Sequence, residues 1–273
     1  MKYVSSRNKN EIVESHNAII QGLATDGGLF TPESIDIHIN VDELINLSYQ
    51  QIATKVIHAF LDDFTEEEIS SSVNQAYDSK FDTEEIVPLH KIEDAYLMEL
   101  YHGPTSAFKD IALTLLPHLL IQSYNKENRH DTISILTATS GDTGKAALSG
   151  FADVKHTAIT VFYPEVGVSQ VQKKQMQTST GDNVEVIAVK GNFDDCQRMV
   201  KEATQDPQVL ASLHNVTISS ANSINVGRLI PQVVYYYSSY CKLVKDGAIQ
   251  CGDPVNFVVP TGNFGDILAG YLA

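Results

Sequence analysis

Thr132-Ile133-Ser134-Ile135-Leu136-Thr137-Ala138-Thr139-Ser140-Gly141-Asp142-Thr143-Gly144-Lys145-Ala146-Ala147-Leu148 is the stretch whose reading decides the fold. It opens on a short β-branched, apolar run that reads as a buried strand. Lys145 to Leu148 reads as a helix opening, and a Gly/Ser/Thr loop lies between. A strand, such a loop and a helix start together offer backbone N–H groups and hydroxyls to an anion. A plain strand-to-helix turn capped by Ser or Asp fits the same residues. A nucleotide-binding P-loop is excluded, although Gly144-Lys145 imitates its end. That motif needs Gly where Thr139 stands and Ser or Thr where Ala146 stands.

Outward from this unit the pattern repeats. Ile133–Leu136, Lys145–Phe151, Ala158–Phe162, Ser169–Gln177, Val184–Ala188, Phe193–Thr204 and Val216–Ser219 alternate strand with helix, which predicts a parallel sheet covered on both faces. Upstream, helical patterns cover Glu11–Gly22, Val41–Leu61 and Thr65–Tyr77, the last opened by Thr65 with Glu68 in capping-box spacing. Downstream, Leu229–Val244 reads as a packed helix, Tyr235-Tyr236-Tyr237 included, followed by a strand at Val255–Val259. The expected division is an N-terminal, mainly helical domain over 1–85, a small α/β domain over 132–220, and a larger domain assembled from 86–131 and 221–273.

Two further stretches carry chemistry. In His102-Gly103-Pro104-Thr105-Ser106-Ala107-Phe108-Lys109-Asp110, a lysine follows a Gly-Pro-Thr-Ser turn and an apolar pair at the mouth of an apolar helix. Burial there would lower its pKa and free the amine for Schiff-base chemistry with an aldehyde. A helix-start lysine covering apolar surface with its stem is the plain alternative. His102 is a possible member of the same pocket wall. In Val255 to Asp266, an apolar run meets Pro260-Thr261-Gly262-Asn263-Phe264-Gly265-Asp266 and an apolar helical start. Gly262 and Gly265 there permit close approach of a phosphate to the backbone.

These three motifs together resemble the signatures of threonine synthase, a pyridoxal-phosphate enzyme of fold type II in the tryptophan-synthase-β superfamily. Gly22 to Phe30, Val166 to Gln172 with Gln175-Met176, and Ser220 to Asn225 with Gly227-Arg228 resemble further stretches of that family in the same order. The resemblance implies an α/β fold with parallel-sheet domains and pyridoxal 5'-phosphate held on Lys109 beside Phe108. Gly262, Asn263, Phe264, Gly265 and Asp266 would hold the cofactor. Ser140, Thr143 and the backbone of Thr139 to Gly141 would take the substrate carboxylate, with Asp142 in the same substrate-binding loop but without an assigned role. Asn222, Ser223, Asn225 and Arg228, with Lys145, are candidates for a substrate phosphate, the Arg228 fork being the best chemical match. An ion pair within the protein suits Arg228 equally. Asp142 stands where many relatives carry Asn, and a carboxylate there would repel a phenolate.

By the same resemblance the substrate is O-phospho-L-homoserine. Protons leave Cα and Cβ, phosphate leaves Cγ, and water adds at Cβ to give L-threonine, with Lys109 moving the protons. A different fold-type-II lyase, such as a serine or threonine dehydratase, would use the same lysine without a second phosphate site. A cofactor-binding chain without turnover is a third reading.

Composition narrows the setting. With 273 residues and 43% hydrophobic content, the chain can bury a sizeable core. Its formal net charge of −15 opposes nucleic acid or an anionic membrane as partner. No apolar run reaches the ~20 residues of a membrane span and no signal sequence follows Met1, so a cytoplasmic location is expected. Cys196, Cys241 and Cys251 have no metal-ligand spacing and read as core residues, and no histidine cluster suggests a metal. Ala273 falls inside the helix opened at Gly265-Asp266 without a stop signal. The expectation is a chain that ends short of its family's length, before the partner of the pyridine nitrogen. Val258, Ile267, Leu268 and Leu272 would then be exposed.

Overall fold

The computed structural model describes every residue except Ser220, Asn222 and Ile224, and every remaining side chain except that of Gln205. In chain order the elements are β1 (Lys2–Ser5), β2 (Ile12–Glu14), α1 (Ser15–Gln21), β3 (Phe30–Pro32), a 3-10 turn at Val41–Glu43, α2 (Tyr49–Phe60) and α3 (Glu66–Ala76). A hairpin follows, β4 (Leu89–Ile92) and β5 (Ala95–Met98), then α4 (Asp110–Lys126). The alternating part is β6 (Thr132–Ala138), α5 (Asp142–Phe151), β7 (Thr157–Pro164), α6 (Gln170–Gln177), β8 (Val184–Val189), α7 (Phe193–Gln205), α8 (Pro207–Ser212) and β9 (Val216–Ser219). The chain closes with α9 (Val226–Lys245) and α10 (Gly265–Leu272).

The expected parallel sheet forms, in the order β8-β7-β6-β9. Ile135 of β6 lies opposite Ile159 of β7 and Ser219 of β9. Along β6 and β7 burial alternates: Ile133, Ile135, Thr137, Ile159 and Val161 are buried, whereas their neighbours Ser134, Leu136 and Thr160 are half-buried. One face of the sheet is therefore dry and the other partly covered.

Helix α4 is the hub of the core. It packs on α1, α3, α5 and α9, and Leu113, Leu115, Leu116, Leu119 and Leu120 are completely buried. Burying so many large apolar side chains stabilises by about 1.5–3 kcal/mol each before entropy is counted. The approach of α5 is set at Gly150, where an added Cβ would stand 2.1 Å from the Leu113 carbonyl oxygen. That close crossing seats the end of α5 on the first turn of α4, while the start of α5 reaches the loop before α4 through the Lys109–Asp142 and Lys145–Thr105 bonds.

The N-terminal region departs from its helical expectation. Ile12–Glu14 pairs with β1, which also pairs with β3, so the first part of the predicted helix is strand. Here a cross-strand partner overrides helical periodicity. The predicted helix from Val41 begins only at Tyr49, because Ser48 caps it by accepting from the Gln51 amide while Gln51 returns the bond. The Thr65–Glu68 capping box opens α3 as expected.

The predicted strand at Val255–Val259 does not form. Nothing among the described residues pairs with it, and without a ladder an extended segment is not a strand. Its Val258 is 95% exposed, while Phe257 keeps an edge-on contact with Tyr236 at 4.9 Å. Ile267 is exposed as expected, but Leu268 and Leu272 pack partly against the core, a correction that follows from α10 lying on α9. Cys251 is also exposed, on a turn after α9, rather than being a core residue. No helix among the described residues is long and apolar enough to cross a membrane.

Candidate active site

Lys109 is the residue before the first turn of α4. The loop that delivers it is built around Asp110. This buried carboxylate accepts from the Thr105 amide at 2.8 Å, the Thr105 hydroxyl at 2.6 Å and the Ala107 amide at 3.4 Å. Burial pushes the Asp110 carboxyl upward, and the bonds from Thr105 and Ala107 only partly oppose it. Gly103 is required by the same construction, since an added Cβ would stand 2.5 Å from the Asp110 Cβ. On the other side, Lys145 of α5 is buried and donates to the Thr105 carbonyl at 2.7 Å. Sequence reading missed Thr105 and Asp110 as organisers. Their signal was a hydroxyl residue preceding an acidic residue in the first turn of an apolar helix.

The Lys109 amine lies 4.8 Å from the Phe108 ring centre, with its side chain 15% exposed. The expected apolar setting is incomplete, because the amine donates to Asp142 of α5. Asp142 thus takes a definite place as counter-ion to Lys109. Burial pushes its carboxyl upward, but the Lys109 bond and charge, the Thr143 amide and the Lys145 charge outweigh this and hold it below the usual carboxylate range.

The loop after β6 spends several of its own donors. Thr139 is buried, and its hydroxyl oxygen accepts from the Gly141 amide at 3.0 Å and the Gly144 amide at 2.9 Å. The Thr143 amide donates to Asp142 at 2.9 Å. The Thr139 hydroxyl oxygen and the Gly141 amide therefore build the loop, and the Thr139 O–H keeps its own proton to donate. The exposed Ser140 and half-buried Thr143 hydroxyls face no such demand among the described residues.

Arg228 sits in the first turn of α9, a helix end whose dipole disfavours a cation. It is only 3% exposed, donates Nη1–H to the Ala221 carbonyl at 2.8 Å, and leaves Nε without a partner among the described residues. Burial pulls its pKa down to about 10, against the pull of Asp142. Such a guanidinium is short of an anion. Asn225 is engaged within the protein: one end of its amide donates to the Ile19 carbonyl and the other accepts from the Gly227 amide, so it caps α9 onto α1. Ser223 is half-buried beside Gly265, and Asn222 lies outside the described residues.

The second Gly-rich loop is differently made. Gly262, Asn263 and Phe264 are exposed, and an added Cβ on Gly262 would meet nothing within 4 Å. The Asp266 carboxylate accepts from the Tyr235 hydroxyl and, at 2.8 Å, the Tyr236 hydroxyl, fastening α10 to α9. Among the described residues no hydrogen bond joins this loop to Lys109 or to the loop after β6.

Residues 82–273 match the model of the family described as pyridoxal-phosphate dependent enzyme, and residues 2–77 match that described as threonine synthase N terminus. The chain belongs to the pyridoxal-phosphate dependent enzyme family, with the fold-type-II architecture. Within it the likeness is to threonine synthases. The threonine synthase of Pseudomonas aeruginosa is 38% identical over 281 residues, covering 100% of this chain and 57% of that protein. The crystal structure of pyridoxal-phosphate-bound threonine synthase from Brucella melitensis superposes with a TM-score of 0.90 at 36% identity, covering 100% of this chain and 57% of that one. The yeast threonine synthase structure gives 0.88 at 34% identity, covering 99% of this chain and 55% of that one. Human threonine synthase-like 1 is 39% identical over 94% of this chain and 36% of its own length. The chain therefore spans little more than half the length of the threonine synthases it matches.

The residues present fit the family's cofactor. Lys109, Lys145 and Arg228 act on the Asp142 carboxylate, and one of these three cations is a buried guanidinium whose Nε–H has no partner among the described residues. A primary amine within that surplus of positive charge suits a phosphorylated aldehyde.

Proposed function

We propose that the chain carries the catalytic lysine and substrate loop of a threonine synthase, acting on O-phospho-L-homoserine and water to yield L-threonine and phosphate. The observation that carries this reading is the cluster of Lys109, Asp142, Lys145 and Arg228 at the N-terminal ends of α4, α5 and α9. In a chain of net charge −15, so local a concentration of cations is suited to an anionic substrate.

Lys109 would hold pyridoxal phosphate, and Gly262 to Gly265 would offer backbone donors to its phosphate. When bound, that group supplies an electron sink for negative charge at Cα. Lys109 Nζ would take and return protons at the substrate carbons. Ser140 and Thr143 orient the substrate carboxylate at the start of α5, where the helix dipole favours it. Arg228, with Ser223 five residues before it, would receive the substrate phosphate. Asp142 keeps the Lys109 amine aimed into the site. A soluble small-molecule enzyme without nucleic-acid or membrane partners is the matching cellular reading, with the cytoplasm as its setting.

The test is to add pyridoxal phosphate to the full chain, reduce with borohydride and map the modified peptide, then assay phosphate and threonine release from O-phospho-L-homoserine. Modification at Lys109 with threonine formation supports the proposal. Turnover of serine or threonine but not of phosphohomoserine reassigns it to a dehydratase. Lys109 is in place while Gly262, Asn263 and Phe264 stand open to solvent, which favours one second reading, capture of the cofactor's aldehyde without turnover, and the same assay separates it.

A further inference from the structure

His102 opens the lysine loop, yet no role in binding or proton transfer falls to it. Its ring lies between two carboxylates: Nδ1 meets Asp82, and Nε2 meets Glu99 at 2.8 Å. Its backbone carbonyl also accepts from the Asp82 amide at 3.0 Å, so ring and peptide grip the same residue. Tyr101 stacks on the ring at 4.8 Å and shares Glu99 with it, while His90 of β4 acts on Glu99 from the hairpin. The adjoining Gly103 is the residue pressed against Asp110, which holds Thr105 and Ala107. Displacement of His102 is thereby passed to the loop that delivers Lys109.

We propose that His102 is a positioning residue, a charged clamp joining Asp82 to Glu99 that fixes the entrance of the Gly103–Lys109 loop and releases it in alkaline solution. A protonated ring donates to both carboxylates. A neutral ring can donate to only one and turns a lone pair toward the other. Asp82 is the arm that lets go, since its side chain is 75% exposed whereas that of Glu99 is 18% exposed.

The direction follows from linkage. The bond from Glu99 foremost, then those of Asp82, raise the ring's pKa above its ordinary value of 6.5 against the opposing effect of burial. The clamp is thus complete below the ordinary value and is lost as pH rises through the raised one. The consequence for cofactor retention rests on the function proposed above. The consequence for loop order does not.

Hydrogen exchange of the full chain between pH 6 and pH 9 tests this, with rates corrected for intrinsic exchange and read at the Thr105, Ser106 and Ala107 amides. At pH 6, His102→Gln should lower their protection about fivefold. The wild-type chain should fall to the level of that variant by pH 9. His102→Lys, a cation across the whole range, should keep the pH 6 protection at pH 9. Wild-type protection indifferent to pH, or a Lys variant as loose as the Gln variant, overturns the proposal. If these amides respond while pyridoxal phosphate is retained at no pH, the clamp stands and the functional proposal falls.

Discussion

The loop before α4 and the loop before α10 have similar sequence grammar, a glycine-containing turn running into an apolar helix, and yet they are built in opposite ways. In the first, Asp110 gathers Thr105 and Ala107, Lys145 braces the Thr105 carbonyl, and Gly103 is wedged against Asp110. In the second, Gly262, Asn263 and Phe264 face solvent and fastening begins only at Asp266. The difference shows that glycine in a turn has no single meaning. At Gly103 it makes room for a neighbour already present, whereas at Gly262 that room is open.

Substitutions should widen or collapse this contrast. The largest effect is expected at Lys109. Lys109→Ala should abolish borohydride-stable incorporation of pyridoxal phosphate, and where turnover is present reduce it by about 10²–10⁴-fold. Incorporation at Lys145 or Lys190 in the wild type would give the first loop a purely structural role. Next comes Asp110→Ala, which leaves buried donors of Thr105 unpaired and should cost about 3 kcal/mol in urea denaturation. Gly103→Ala should cost about 1–3 kcal/mol by forcing Asp110 aside. Gly262→Ala should change stability of the cofactor-free chain by less than about 0.5 kcal/mol. If Gly103→Ala proves as mild as Gly262→Ala, the two loops do not differ in the manner described. Should Gly262→Val leave the cofactor dissociation constant unchanged, the second loop is not the phosphate grip.

What could be read from the sequence was what depends on neighbours along the chain. The Thr65–Glu68 cap of α3, the strand–loop–helix from Thr132 and the lysine at the head of α4 are all local patterns. The hidden part is tertiary. Nothing near Lys109 announces that Asp142, 33 residues on, will neutralise it, or that Lys145 will serve the Thr105 carbonyl. Asn225 and Asp266 sat in motifs that read as ligand-binding, but each is held by another part of the molecule, at Ile19 or at Tyr235 and Tyr236. Val255–Val259 failed for the complementary reason, since an alternating or apolar run states a capacity to pair and says nothing about a partner.

The bond from Asn225 to the Ile19 carbonyl spans 206 residues. During synthesis at ~5–20 residues per second, α1 leaves the ribosome about 10–40 s before the residue that will latch it. Through that interval Ala18 and Ile19, fully buried in the finished fold, lack the α9 surface that helps cover them. The strands β1 to β3 and the earlier-made α4 are what can shelter the segment in the meantime. Loss of Asn225 would thus reach beyond one helix cap: it would prolong the period in which the newborn chain is open to chaperones and proteases.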